Sequence, residues 1–558
     1  MASLDSVLDD IGACGPFQGL LVLAVYSTLL SSIWGIMMLA FGFYNPGWVC
    51  LDGMSMGNWS ESKLLSTDLN SSSNATEELN SADHCTLYST CTNVSFSSET
   101  SSVASEWGLV CDRAWALKVI FTVQFAGIIL GAYLTGQISE LVGPKASLYG
   151  MVALNGVANL VAVFSQSWEA FAAIRFFIGM ASGGIMLPAY VTPLEFTGKF
   201  WRGVVGSFPA WNIGAVLFAA AVILLKDWRY LHILGAFLSG LVFLPVFWVP
   251  QSFRWLAVHG RDKNATAVVT KIAKMNGRPK PSLEILVKMA ECERRRALVK
   301  GRNRYSYLDL FRETMLRKTV IIMSFVWVSL GIVYYGISFS VQALSGDFYI
   351  NFLILTVMEM PSPIFSLPTV TYITRRWGSA IHLLVVSMAC FGITITSLVA
   401  GNNAHDEDSQ NEDLTKVKIN VGLASIAKVG TISAFAVVTI FCSELFPTAV
   451  RNLGFGFLNF TTRLGSFIGP LLFPQDPALL YLAMIVSGVL TLVSAVLLLL
   501  LPETKGAPLE DVLRSKTLHL RIDITAPTKN QNGTDTLRKE IDTDREVLEV
   551  DDCESALD

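Results

Sequence analysis

Apolar runs of about 20 residues recur twelve times along the chain, each long enough to cross a bilayer as a helix. They lie near 20–43, 115–138, 146–166, 170–190, 204–225, 230–250, 319–341, 350–373, 378–400, 420–441, 453–473 and 479–501. Numbered in order, these spans divide six and six around one polar stretch, 251–317. The pattern predicts an all-α polytopic membrane protein of two six-helix halves. Its expected parts are an N-terminal segment 1–19, a first half 20–250, a central loop 251–317, a second half 318–501 and a tail 502–558. Twelve spans in two halves place a solute site at the midplane between the halves.

Composition agrees: 52% of the 558 residues are hydrophobic and 15% are charged, against about 25% charged in soluble domains. The net charge of −4 means less than its distribution. The central loop holds 16 Lys and Arg against 6 Asp and Glu, whereas 44–113 holds 2 against 9. Basic loops stay on the cytoplasmic side. Both termini and 251–317 are therefore expected inside and 44–113 outside. Arg375 and Arg376 follow this rule, as does the acidic 401–413; Lys226 and Arg229 depart from it. The first residues, MASLDSVLDDIGACGPFQ, are acidic and lack a basic start, so no cleavable leader is expected.

The loop 44–113 carries four glycosylation sequons, at Asn58, Asn70, Asn74 and Asn93. It also carries Cys50, Cys85, Cys91 and Cys111. Four cysteines in an oxidising compartment predict two disulfides, with three possible connectivities. Sequons at Asn264, Asn459 and Asn532 fall on the other side or inside a span, and are expected to stay unmodified. These features favour the plasma membrane. In the central loop, VVTKIAKMNG reads as a helix closed by a glycine. A second helix is expected from Ser282, and its Arg294–Arg296 run suits either water or anionic head groups. The tail is polar and reads as disordered.

No nucleotide-binding loop, metal-ligand spacing or catalytic constellation is present, so neither an enzyme, a cofactor, a metal site nor a nucleic-acid partner is expected. The chemistry lies instead in charges placed inside spans. An arginine at mid-bilayer depth costs about 2.5 kcal/mol or more, so it faces a bundle interior or a watery cavity. Arg463 in span 11 and Glu359 in span 8 are such residues. Either they neutralise each other, or each holds one pole of a solute. Tyr334, Tyr335 and Trp211 offer cation–π faces. Tyr26, Gln124, Asn212 and Asn459 offer hydrogen bonds.

Several loop motifs carry a resemblance. RFFIGMASGGIMLPAYVTPLEF from Arg175, PQSFRWLAVHGR from Pro250, SELFPTAVRNLGFG from Ser443 and LPETKGAPLE from Leu501 are similar to signatures of the organic cation, carnitine and organic anion carriers. That family, solute carrier family 22, has the major facilitator fold. The resemblance covers nearly the whole chain. It implies alternating access, with inner loops clamped by charge pairs in one gate state. Glu140, Lys145, Glu195, Arg202, Arg254, Glu444 and Arg451 occupy the corresponding inner positions. The loop GQISELVGPK departs from the expected G-x-x-x-D-R-x-G-R-K: Glu140 stands for the Asp, and Leu141 and Pro144 remove two cations. Gln251 likewise replaces an expected Glu.

The resemblance also bears on the solute. Cation carriers tend to have an acid at the position of Arg463, carnitine and anion carriers an arginine. Arginine together with Glu359 therefore favours a zwitterion such as carnitine, a betaine or ergothioneine. An organic cation uniporter, an organic anion exchanger and a non-transporting receptor are the alternatives. The expected partners are a small organic ion, the lipid bilayer and a co-transported sodium ion or proton.

Overall fold

The computed structural model describes residues 8, 11–46, 48–50, 85, 88–89, 91, 93–96, 100–198, 201, 205, 208–279, 309–312, 314–339, 341, 347–402, 409–446, 451–472 and 477–504. Outside these lie Asn58, Asn70, Asn74, Arg202, the Arg294–Arg296 run and the tail beyond 504. The side chains of Cys50, Glu140 and Arg451 also lie outside what is described.

Every predicted span coincides with helix. Span 1 is Pro16–Tyr26 with Thr28–Gly42; spans 2 to 6 are Trp115–Val142, Pro144–Ala162, Trp168–Glu195, Ala210–Leu225 and Trp228–Phe243. Span 7 is Thr314–Phe339, and span 8 is Phe348–Val357 with Ser362–Tyr372. Spans 9 to 12 are Arg375–Asn402, Ser409–Leu445, Arg451–Leu472 and Pro477–Leu498. Among the described residues, nine helical stretches are long and apolar enough to cross a membrane unaided, and Ala210–Leu225 is a shorter apolar helix. Pro144–Ala162 and Arg451–Leu472 complete the twelve.

Local chemistry sets the ends. Asp227 accepts the backbone N–H groups of Arg229 and Tyr230 and so opens span 6; Asp347 accepts that of Ile350 and opens span 8. Each satisfies donors that a first helical turn leaves orphaned. Span 8 breaks between Val357 and Ser362. Pro361 lacks an N–H and seeds the second segment at its N-cap.

Lipid tails are as apolar as leucine, so hydrophobic burial does not hold these helices together; close backbone approach does. Spans 2 and 4 meet where a Cβ on Gly183 would lie 2.2 Å from the carbonyl oxygen of Ile128. Spans 7 and 11 meet the same way, at Gly465 against Val328. Across the halves, span 5 packs on the first segment of span 8, span 2 on span 11, and span 1 on span 7. Near the 44–113 loop the halves also join through a 2.8 Å hydrogen bond between the Thr100 and Tyr349 hydroxyls and a Tyr44–Phe348 ring stack.

One departure from an all-helical chain appears in that loop. Trp48–Cys50 pairs antiparallel with Val94–Phe96, Trp48 opposite Phe96. Trp48 also packs edge-on against Tyr88. A disulfide joins Cys85 to Cys111, and Cys91 is disulfide-bonded as well. Asn93 is exposed beside the ribbon. If the loop faces outward, glycosidase treatment of surface protein shifts its mobility, and joint substitution of Asn58, Asn70, Asn74 and Asn93 abolishes the shift. A shift that persists in the quadruple variant would refute the orientation.

The expected first central-loop helix is Asp262–Met275, closed before Gly277 at φ +65°. Its following residue does something the pattern did not suggest. The Asn276 side chain accepts from the Phe17 N–H and donates to Ile11 O and Gln18 Oε1, tying the central loop to the entry of span 1.

Candidate functional site

The break in span 8 leaves Glu359 between two helical segments, with its carbonyl accepting both the Ser362 N–H and the Asn212 side-chain amide. The Glu359 carboxylate is buried, 1% exposed, and so is its partner Lys428 of span 10 at 4%. Lys428 Nζ sits 2.5 Å from Glu359 Oε1 and 5.4 Å from the centre of the Tyr334 ring. The Tyr334 hydroxyl donates to Glu359 Oε2 at 3.2 Å and accepts from Trp211 Nε1 at 2.8 Å. Four spans thus converge on one carboxylate: 5, 7, 8 and 10.

Arg463 stands apart from this cluster in its bonding. Its Nη2 lies 3.1 Å from Met186 Sδ of span 4, and its Nε is buried without a hydrogen-bond partner. Tyr335 and Tyr190 lie close enough to interact with its charge. Among the described residues no carboxylate pairs with it. The Glu359–Arg463 pair that the sequence allowed is therefore not formed; Lys428 takes that place. Tyr335 is set edge-on to Tyr334 at 5.0 Å and to Phe125 of span 2 at 5.8 Å. It spans the boundary between the halves.

The remaining candidates separate. Tyr26 donates to Val205 O at 2.9 Å and stacks on Phe208. Gln124 is fully buried and committed: its Oε1 accepts from Arg175 Nε at 2.7 Å and its Nε2 donates to Gly35 O. Arg175 also donates to Gly35 O, so the pair braces spans 1, 2 and 4 rather than facing Arg463. Asn459 is exposed on span 11, one turn before Arg463.

The loops expected on the cytoplasmic side are bridged, though not as the charge motif suggests. Gln251 Oε1 accepts the Lys145 backbone N–H at 2.9 Å, and Gln251 Nε2 donates to Val142 O at 3.0 Å. Neutral hydrogen bonds therefore bridge the loop between spans 2 and 3. Gly143 is required there: its φ is +96°, and a Cβ would lie 1.8 Å from Gln251 Nε2. In the second half, Glu444 is held by Arg375 at 3.1 Å and by the Thr504 hydroxyl at 2.6 Å. Glu503 accepts the backbone N–H groups of Arg375 and Arg376. Glu195 and Arg254 each have an interaction partner.

Lys428, Tyr190 and Met186 are the site residues that sequence reasoning missed. Lys428 carries a legible signal, since it is an ionisable residue eight positions into an apolar span. Tyr190 and Met186 carry none; only the reach of the Arg463 side chain across to span 4 brings them together.

This constellation can hold a small charged solute between two halves. Residues 79–515 match the profile of the family described as "Sugar (and other) transporter". The chain is 31% identical over 420 residues to solute carrier family 22 member 7 of Bos taurus, covering 74% of this chain and 73% of that one. It is 28% identical over 417 residues to organic cation/carnitine transporter 2 of Homo sapiens, covering 74% and 71%. The inward-open xylose transporter XylE from E. coli superposes with a TM-score of 0.57 over 87% of this chain and 97% of its own, at 15% identity, which speaks to the fold alone. With twelve spans of the major facilitator fold and paired charges at their centre, the chain belongs to the sugar (and other) transporter family and, within it, to solute carrier family 22: it is a multi-pass membrane transporter of small organic ions and not an enzyme.

Proposed function

We propose that the chain moves small carboxylate-bearing organic ions across the plasma membrane by alternating access, with Arg463 receiving the carboxylate. The observation that carries this reading is the Lys428–Glu359 pair. Glu359 is already neutralised, so the cluster of Arg463, Lys428 and Glu359 sums to one positive charge. An anion cancels that charge. A cation raises it, in a medium where an uncompensated charge is costly. Tyr334, Tyr335 and Trp211 then wall the solute. Asn459 and Tyr26 flank it, and Asn212 fixes the broken segment of span 8.

The aromatic walls support a second reading. Tyr334 and Tyr335 present faces that suit an ammonium, and Glu359 would become available if Lys428 left it during the cycle. A zwitterion such as carnitine, a betaine or ergothioneine then uses both poles. In either reading Glu444–Arg375 and the Lys145–Gln251 bridge hold one gate state, together with Glu140, Glu195, Arg202, Arg254 and Arg451. A few kcal/mol at such contacts is enough to bias the two states.

Uptake into proteoliposomes of labelled p-aminohippurate, carnitine, ergothioneine and tetraethylammonium tests the proposal. We expect p-aminohippurate to be taken up most, the zwitterions less and tetraethylammonium least. Tetraethylammonium uptake equal to that of the anion would overturn it. Proton coupling predicts faster uptake at mildly acidic than at mildly alkaline external pH, without a sodium requirement. A flat wild-type profile removes proton coupling.

A further inference from the structure

Beside the midplane cluster, and independent of which solute it carries, lies a cavity. It has a volume of about 1140 Å³ and sits within the second half, between spans 8, 9 and 10. The break at Pro361 creates it. The first segment of span 8 leans onto span 5, while the second leans onto span 10, and the space between is left unfilled. Its walls are almost wholly apolar, and they are open sideways: Ile350 is 58% exposed, Phe365 53% and Ile426 49%. Gly422 lines the cavity, and a Cβ there would meet nothing within 4 Å.

Two charges mark one mouth of this cavity. Lys418 is exposed, lines the cavity and has no partner among the described residues. Asp347, at the start of span 8, lines the same mouth. This mouth lies on the side of the 44–113 loop, because the Tyr349 hydroxyl two residues on from Asp347 bonds Thr100. An apolar slot at membrane depth with an ammonium and a carboxylate at its rim complements a zwitterionic glycerophospholipid. The acyl chain fills the slot, the phosphate meets Lys418, and the head-group ammonium meets Asp347. A void of this size would otherwise forfeit dispersion contacts along its whole lining.

We infer that this cavity is a binding site for a zwitterionic phospholipid of the leaflet facing the 44–113 loop. The site touches the transport machinery. Met358 and Pro361 line it on either side of Glu359, and Ser433, also in its lining, donates to Ser362 O at 3.1 Å. A chain bound there presses on the segment that carries Glu359.

The test uses the full chain in nanodiscs of phosphatidylcholine doped with phosphatidylcholine bearing a diazirine on one acyl chain. After illumination, digestion and mass mapping, we expect labelling of 350–365 and 417–433 several-fold above that of the exposed face of span 6. Gly422→Phe fills the slot and should remove most of that excess. Lys418→Gln, on an exposed helical turn, should lower it and keeps the test decisive if Gly422→Phe does not fold. Uniform labelling, or labelling indifferent to both variants, overturns the inference. Displacement of the label by p-aminohippurate or carnitine also overturns it, by making the cavity a solute site.

Discussion

Arg463→Ala leaves the protein at the cell surface but raises the half-saturation concentration for carboxylate solutes about 10- to 100-fold, the equivalent of losing hydrogen bonds to a charged group. The protein tolerates the change because, among the described residues, Arg463 has no carboxylate partner to strand; its neighbours are Met186 Sδ, Tyr335 and Tyr190. Arg463→Lys falls between Ala and wild type. Lysine keeps the charge but loses the planar fork that grips two carboxylate oxygens at once. Surface biotinylation beside concentration-dependent uptake measures both parts. Unchanged carboxylate uptake by well-expressed Arg463→Ala would remove the residue from the solute site. Loss of surface protein in Arg463→Ala would instead mark it as structural.

Lys428→Ala behaves differently, because it leaves the Glu359 carboxylate buried and unpaired. Breaking a buried pair from one side costs about 3–5 kcal/mol, whereas replacing both members with neutral groups of similar size is often close to neutral. Surface delivery should therefore collapse in Lys428→Ala and return in Lys428→Met/Glu359→Gln. The choice of partner is the sharp part of the prediction. Arg463→Ala should not rescue Glu359→Gln, since the two do not touch, while Lys428→Met should. Rescue by Arg463→Ala instead would mean that Glu359 pairs with Arg463 in the membrane. In the rescued double variant, carboxylate uptake persists if Arg463 is the anion-binding group. Zwitterion uptake falls if Glu359 takes the ammonium.

The loop between spans 2 and 3 gives the clearest case of residues legible in the sequence whose contacts are not. The loss of cations in GQISELVGPK is plain in the sequence, and so is the replacement of an expected Glu by Gln251. Only the structure shows that these departures fit each other: the Gln251 amide bridges Lys145 N–H and Val142 O without any charge. Glu444 shows the same divide. Its place at the C-terminal end of span 10 is legible, but its partner Arg375 comes from span 9, 69 residues away in the chain.

The sequence by itself determined the twelve spans, their division into two halves, and the presence of charges that must face inward. Each follows from one-dimensional facts: the length of an apolar run against bilayer thickness, and the cost of a lone charge in hydrocarbon. It also determined the family, through motifs contiguous in the chain. Tertiary structure alone decided which charge meets which. Glu359, Arg463 and Lys428 have the same sequence signature, and helix periodicity says nothing of how spans 8, 10 and 11 are rotated against one another. That rotation is set where backbones touch at Gly465 and where span 8 breaks at Pro361. It gives Glu359 to Lys428 and leaves Arg463 facing Met186 of the opposite half, without a carboxylate partner among the described residues.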